Sequence, residues 1–436
     1  MTKRFVKKGN VNIKEIVSIF LLFIIISGLT SGCYDKREVD DLAYVVAIGL
    51  DKGVTNTLRL TVQIAEPLVI GAGGSGGGGG NEKSSIVTVE TPSLYAGLNL
   101  INNSVSKEIN LSHAKLIVFS EELAKEGLRK YLHAIIRGIE FRPTTYVAVS
   151  RCPARDYLQS IKPILDPHPA KYYELEFPAG NTGFTTETQL SDFYFETEAL
   201  GKQAVAVLAS VDAFKDVKDF NLTGSTYKEK GREKPLEGDF KAGDIPKVGD
   251  VEGQIMGLAA FKGDKMVGEM DGEDVNLFRM LTGEYGGSYW SIPDPKVKDT
   301  IVVISVKKSR QPQIKVDMVN GKPKIDIKVI IEADFESIQS EEDYEENSTF
   351  FETYTQDFLK KEMLRFLKET ITLKTDIVGF GKYMQRKFLT WDEWKNFQWL
   401  KKYKDSSFNV AIDLKMRRPG LIIKTVNLNS SLGEVK

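Results

Sequence analysis

The stretch Ile314-Lys315-Val316-Asp317-Met318-Val319-Asn320-Gly321-Lys322-Pro323-Lys324-Ile325-Asp326-Ile327-Lys328-Val329-Ile330-Ile331 decides how the C-terminal third of the chain folds. Ile314, Val316 and Met318 alternate with polar residues, Asn320-Gly321 interrupts, and Ile325, Ile327, Val329 and Ile331 resume the period of two. Successive side chains of a strand point to opposite faces, so the pattern is that of a half-buried hairpin, and Asn-Gly supplies the positive φ angles of a tight turn. Outward from it, 301–306 reads as another strand. Thr349 with Glu352 predicts a capping box that opens a helix, and Phe351, Tyr354, Phe358 and Phe366 give that helix an apolar face. A second helix is expected near Asp376, and 410–416 as a last strand. Residues 296–436 are thus expected to form an α+β domain, an antiparallel sheet packed with helices.

Towards the N-terminus, the apolar run 204–211 is followed by a stretch rich in Lys, Gly and Glu, 223–253, which is expected to be a long exposed loop. Lys262-Gly263-Asp264 between apolar runs predicts a hairpin, Asp271 caps a following helix and Gly283 stops it. These elements define an expected middle α/β domain, 181–295. Earlier still, 44–48 and the alternating Leu58, Leu60 and Val62 flank the turn Asp51-Lys52-Gly53. Strands at 86–89, 116–119 and 145–149 alternate with a helix over 93–105 capped by Thr91 or Ser93, a helix opened at Ser120 and one over 129–139. Alternation of strand and helix predicts an N-terminal α/β domain over 33–180. The glycine-rich segment 71–80 inside the first is a loop, because glycine loses the most backbone entropy on ordering. No Gly-Lys-Ser/Thr follows it, so it is no phosphate cradle.

The first residues have a different character. Lys3, Arg4, Lys7, Lys8 and Lys14 stand against Glu15 alone, and an uncharged run then leads towards Cys33, the order of a secretory signal peptide. The apolar segment 16–29 amounts to about 21 Å of helix, short of a ~30 Å hydrocarbon core. Leu29-Thr30-Ser31-Gly32-Cys33 resembles the lipobox of bacterial lipoproteins. The resemblance implies cleavage between Gly32 and Cys33, leaving 1–32 as the signal peptide. It also implies a diacylglyceryl thioether and an N-acyl chain (palmitate) on Cys33, and so a protein held by lipid at the outer face of a cell membrane. The other reading is type I cleavage with Cys33 free or bridged to Cys152, the second of the two cysteines. Lipidation is preferred, with Cys152 a small buried residue.

The formal net charge of the whole chain is −1, and loss of a basic leader leaves the remainder more acidic. Such a chain has no global attraction to nucleic acid. His113, His133 and His168 are its histidines, with no His-Glu-x-x-His and no Gly-x-Ser-x-Gly. Ser-x-x-Lys occurs at Ser104/Lys107, Ser112/Lys115, Ser225/Lys228 and Ser305/Lys308. Ser305 falls in an expected strand and Ser225 in the expected loop, whereas an acyl-enzyme serine needs a helix start. No catalytic residue and no cofactor is therefore assigned. Glu341, Glu342, Asp343, Glu345 and Glu346 lack the alternating ligands and glycine turn of a calcium loop, so no metal site is assigned, and the run reads as a solvated segment before a helix N-terminus.

Four segments taken in order carry a wider resemblance. They are Cys33-Tyr34-Asp35-Lys36-Arg37-Glu38-Val39, residues 43–52, Phe261-Lys262-Gly263-Asp264-Lys265-Met266-Val267-Gly268, and Asp376-Ile377-Val378-Gly379-Phe380-Gly381-Lys382-Tyr383 with the tryptophans behind it. The series resembles the Ger(x)C family, the C-subunit lipoproteins of spore germinant receptors. That resemblance implies three successive mixed α/β domains forming a non-enzymatic subunit outside the spore's inner membrane, assembled with A- and B-type membrane subunits. It makes Asp35, Arg37 and Glu38 candidate partner contacts, against a plain solvated tether. An extracytoplasmic solute-binding lipoprotein is the alternative, sharing the anchor but holding a small ligand in a cleft. Trp391, Trp394 and Trp399 suit an interface, yet the helical spacing of Trp394, Phe397 and Leu400 favours core packing on the sheet. Gly379 and Gly381 are expected to allow close approach of helix to sheet.

Overall fold

The computed structural model describes residues 12–29, 41–65, 84–163, 169–178, 183–212, 225–307, 310–340 and 342–418. The chain divides into a segment up to Leu42 and a body from Ala43 onward. The segment holds α1 (Ile13–Leu29), a 17-residue helix. No described helix is long and apolar enough to cross a membrane.

The body begins with β1 (Leu42–Lys52), β2 (Leu58–Ala65), β3 (Ser84–Thr91), α2 (Leu94–Asn102), β4 (Glu108–Asn110), β5 (Leu116–Ser120), α3 (Glu121–Glu126) and α4 (Arg129–Arg137). It continues with β6 (Tyr146–Ser150), α5 (Ala154–Ser160), α6 (Pro169–Glu176), α7 (Leu190–Glu198), β7 (Val205–Val211), β8 (Gly253–Lys262) and β9 (Lys265–Met270). All nine strands join one sheet in the order β3-β2-β1-β5-β6-β7-β8-β9, with β4 also on β1. The central four run parallel and the outer pairs antiparallel. Parallel neighbours need crossovers, and parallel sheets are covered on both faces, which matches the near-continuous apolar burial of β1, β5 and β7.

The remaining elements are α8 (Gly272–Thr282), β10 (Ser288–Pro293), β11 (Ile301–Val306), β12 (Gln313–Val319), β13 (Lys322–Ile338), α9 (Ser348–Thr372), α10 (Phe380–Gln385), α11 (Trp391–Phe397), α12 (Trp399–Tyr403) and β14 (Ser407–Arg418). The five strands among them form a second sheet around β13, whose buried residues alternate along its length. One edge of β13 is shared between β12 and β11, both antiparallel, and the other carries β14.

The strands of 181–295 are shared between the two sheets: β7, β8 and β9 extend the first, and β10 joins the second. A boundary at 180/181 therefore falls within a chain segment whose following strands hydrogen-bond to those before it. Side chains of β7 alternate faces, with Ala206 and Leu208 in a core shared with α2, α3, α4 and α7, and Val207 and Ala209 in another with α5 and α6. Val205, Leu258 and Ala260 instead enter the large core that contains β13, α8 and α9, so the second sheet and its helices cover the far end of the first.

Four local expectations are corrected. β14 pairs with β13 in parallel, because four helices intervene and return the chain to the starting end of β13. Helix α9 starts after Asn347, and Glu352 accepts from the Met416 backbone N–H at 2.8 Å and from Lys415 at 3.1 Å in place of closing a capping box with Thr349. Cys152 is half-buried, its Sγ 3.2 Å from Ser150 Oγ. The described part of 223–253 is not an exposed loop, since Lys230, Asp239, Phe240 and Ala242 are buried.

Candidate functional site

Two polar clusters bind the halves of the body together, and both are built on residues from distant parts of the chain. The first is centred on the start of α8. Asp271 caps this helix, its Oδ1 accepting from the Asp274 N–H at 3.1 Å, and Glu273 and Asp274 occupy the first turn where the helix dipole favours negative charge. Gly238 lies against Glu273 so closely that a Cβ there would sit 2.9 Å from Glu273 Cβ, and Glu273 N–H donates to its carbonyl at 2.8 Å. This backbone approach delivers the cations of the preceding segment. Lys230 Nζ reaches Asp239 and Asp271 at 2.8 Å and Glu273 at 2.6 Å. Arg232 bridges Asp239 and Glu273. From the other side, Arg365 of α9 meets Asp274 at 2.6 Å and Glu362 at 2.9 Å, with Glu369 at 3.6 Å.

Three cations thus face six carboxylates in a buried place, and proton affinities shift accordingly. Burial opposes charge on Asp239, but Lys230 and Arg232 win and hold it below its ordinary value. At Asp274 burial prevails, reinforced by the charge of Asp271, and raises it to about 7 despite Arg365. Burial likewise raises Glu273 and Glu369. The arrangement clamps the 225–244 segment, α8 and α9 to one another. On its outer side opens a cleft of about 580 Å³ whose wall includes Arg232, Tyr354, Phe358 and Lys361.

The second cluster centres on Asp376, which is completely buried. Its Oδ1 accepts from the N–H groups of Gly379 and Phe380 at 2.8 and 3.1 Å, and its Oδ2 from Gly381 N–H and Trp399 Nε1, both at 2.8 Å. The helix expected near Asp376 begins four residues later, at Phe380, because the carboxylate first gathers the free N–H groups of this turn. Gly379 has φ 90°, and a Cβ on Gly381 would lie 2.6 Å from Trp399 Cδ1 and 2.7 Å from Gly201 Cα. The close approach at Gly381 is thus to a loop and an indole, not to a sheet. Gln203 N–H donates to the Asp376 carbonyl at 2.9 Å while Gln203 Oε1 accepts from Gly263 N–H at 2.7 Å. Thr375 Oγ1 donates to the Phe261 carbonyl. The hairpin at 261–268 and the segment 376–383, far apart in sequence, therefore meet through Gln203.

Gly32, Cys33, Asp35, Arg37, Glu38, His168 and the polyglycine loop 71–80 lie outside the described residues. His113 packs edge-on to Tyr44 at 4.6 Å and His133 to Tyr194 at 6.1 Å. Lys115 of the Ser112/Lys115 pair is turned to Glu174 at 2.6 Å. Trp394 and Trp399 are buried among Phe388, Phe397 and Tyr403, whereas Trp391 is 59% exposed. Among the described residues no cluster of His, Cys, Asp and Glu is arranged to hold a metal ion. The Lys230 cluster was not legible as a buried site in the local sequence around it. Its available signal was Glu362, Arg365 and Glu369 on one helix face together with the acids capping α8.

Compared with known proteins, residues 35–211 match the spore germination protein N-terminal domain, and residues 256–420 match the spore germination B3/GerAC-like C-terminal domain. The gap between the two matches runs from the end of β7 into the first residues of β8, its neighbour in the sheet. The chain is 27% identical over 422 residues to spore germination protein KC of Bacillus subtilis (strain 168), covering 94% of this chain and 96% of that one. It is 20% identical over 404 residues to spore germination protein GerQC of Bacillus cereus, covering 92% and 99%. The crystal structure of the GerBC protein shares the fold, with a TM-score of 0.50 at 16% identity over 88% of this chain and 99% of the other.

Proposed function

Because the chain belongs to the Ger(x)C family of spore germination proteins, we propose that it is the lipid-anchored, non-catalytic C subunit of a nutrient germinant receptor, assembled with A- and B-type membrane subunits. The supporting observation is the extent of the likeness, which runs through both sheets and nearly end to end in the relatives. The body then acts as a rigid binding surface. Its charged residues at the junction of the sheets are engaged with one another, which suits a scaffold that transmits position more than one that turns over a substrate. Cys33 carries the diacylglyceryl and N-acyl groups, and Asp35, Arg37 and Glu38 follow directly where a membrane partner is within reach.

The test is the intact mass of native protein extracted from membranes. Residues 33–436 plus a diacylglyceryl group is the expected product. An unmodified Cys33 or a retained leader would remove the anchor from this reading. Co-purification of A- and B-type subunits with the extracted protein tests the assembly.

A further inference from the structure

A groove of about 570 Å³ lies beside the Asp376 cluster, and its rim is of one charge. Lys262, Lys374, Lys395, Lys401 and Lys404 line it, all exposed, and no acidic side chain does. None of the five forms an ion pair with a described residue, in a chain whose surface lysines are otherwise often paired, as at Lys52, Lys296 and Lys415. Its apolar lining is made by Leu200, Leu400, Trp394 and Trp399. Trp391 precedes Lys395 by one turn of α11 and so shares its helix face. Leu389, 95% exposed, stands just before it. Lysines around an indole-bearing apolar surface are the composition of a membrane-interface site.

Topology places this groove at a particular end of the first sheet. β1, β5, β6 and β7 run parallel and β8 runs back, so Lys262, at the end of β8, lies at the end where β1 enters at Ala43. Four strand spacings separate β1 from β8, about 19 Å. The ten residues from Cys33 to Ala43 can extend about 35 Å. A lipid on Cys33 therefore leaves the lysine rim within reach of the bilayer from which the chain emerges.

We propose that this groove is a second membrane contact, binding the anionic headgroups of phospholipids and setting which end of the body faces the bilayer. The proposal takes its tether geometry from the lipoprotein reading, but the groove's affinity needs no lipid on Cys33. The lysines supply charge to headgroup phosphates and Trp391 with Leu389 enters the headgroup layer.

The test is flotation of the chain from residue 34 onward, whose core clusters all begin at Ala43 or later. It is mixed with vesicles of phosphatidylcholine alone and with vesicles that also contain phosphatidylglycerol. Binding is expected to favour the anionic vesicles at least tenfold and to fall with added salt. The triple variant Lys262→Glu, Lys395→Glu, Lys401→Glu should lose about 100-fold, at about fivefold or more for each lysine. Lys374→Gln with Lys404→Gln, a milder pair, should lose about 20-fold on the same scale and guards against misfolding in the triple variant. Equal binding to both vesicle types, or undiminished binding by folded variants, would overturn the proposal. So would retention by a polyglutamate peptide with no binding to vesicles, which would assign the groove to an acidic protein segment. Failure of the anchor alone would show in the native mass and leave the flotation result intact.

Discussion

Trp399 donates its indole N–H to Asp376 Oδ2 at 2.8 Å, Asp376 being fully buried and Trp399 nearly so. The bond ties the turn before α10 to the start of α12. Through Gln203 the same turn is tied to the hairpin of the first sheet. Asp376→Ala leaves three backbone N–H groups and an indole N–H without their acceptor. Denaturant unfolding is expected to show a loss of about 3–5 kcal/mol, against about 1–3 for Trp399→Phe, which removes one donor to a buried carboxyl. Equal losses for the two variants would contradict this ordering.

Lys230 lies among Asp239, Asp271 and Glu273 with its side chain 2% exposed. Replacing it by methionine keeps much of its bulk but leaves the carboxylates uncompensated. We expect a loss of about 3–5 kcal/mol at neutral pH. Limited proteolysis should then cut within 225–244, the segment that Lys230 and Arg232 hold down. An uncut segment would show that its backbone contacts suffice.

Asp274 has a proton affinity raised to about 7 from the ordinary 3.8. The folded state therefore binds this proton more tightly than the unfolded chain. The group's contribution to stability is fully present below pH 3.8 and is lost as pH rises through about 7. Asp274→Asn cannot ionise, so the stability of wild type relative to this variant should fall between pH 5 and pH 8, by on the order of 2 kcal/mol. Parallel curves for the two proteins would show that Asp274 stays ionised.

Gly381→Ala puts a methyl within 2.7 Å of Gly201 Cα and Trp399 Cδ1. Overpacking of about 1–3 kcal/mol is expected, measured by the midpoint of thermal unfolding, with altered tryptophan fluorescence because Trp399 must move. Gly286→Ala, where the nearest atom to the added Cβ is the Arg279 guanidinium at 3.7 Å, should change little.

Cys33→Ala should move the protein from the membrane to the soluble fraction of spore extracts and impair germination on nutrients. Normal germination in spores that carry only this variant would count against an anchored receptor subunit.

Elements whose information is local were legible in the residues. The alternation of 314–331, the Asn320-Gly321 turn, the Asp271 and Gly283 helix ends and the Lys262-Gly263-Asp264 hairpin all stand where their patterns put them. Side-chain periodicity and capping are properties of a few adjacent residues, so one stretch of sequence carries them. The motifs behind the family resemblance were legible in the same way, although their meeting at Gln203 was not.

Tertiary structure decided what depends on partners remote in the chain. Whether β7 to β9 start a new sheet or extend the old one turns on edge pairing, which their own apolar pattern does not encode. The parallel docking of β14 depends on where the four helices α9 to α12 return the chain. Lys230, Arg232 and Asp239 read as a solvated loop because polar composition is the usual mark of exposure. Their burial follows from acids on α8 and α9 that repay desolvation by pairing, a gain that exists only when the distant residues are brought together.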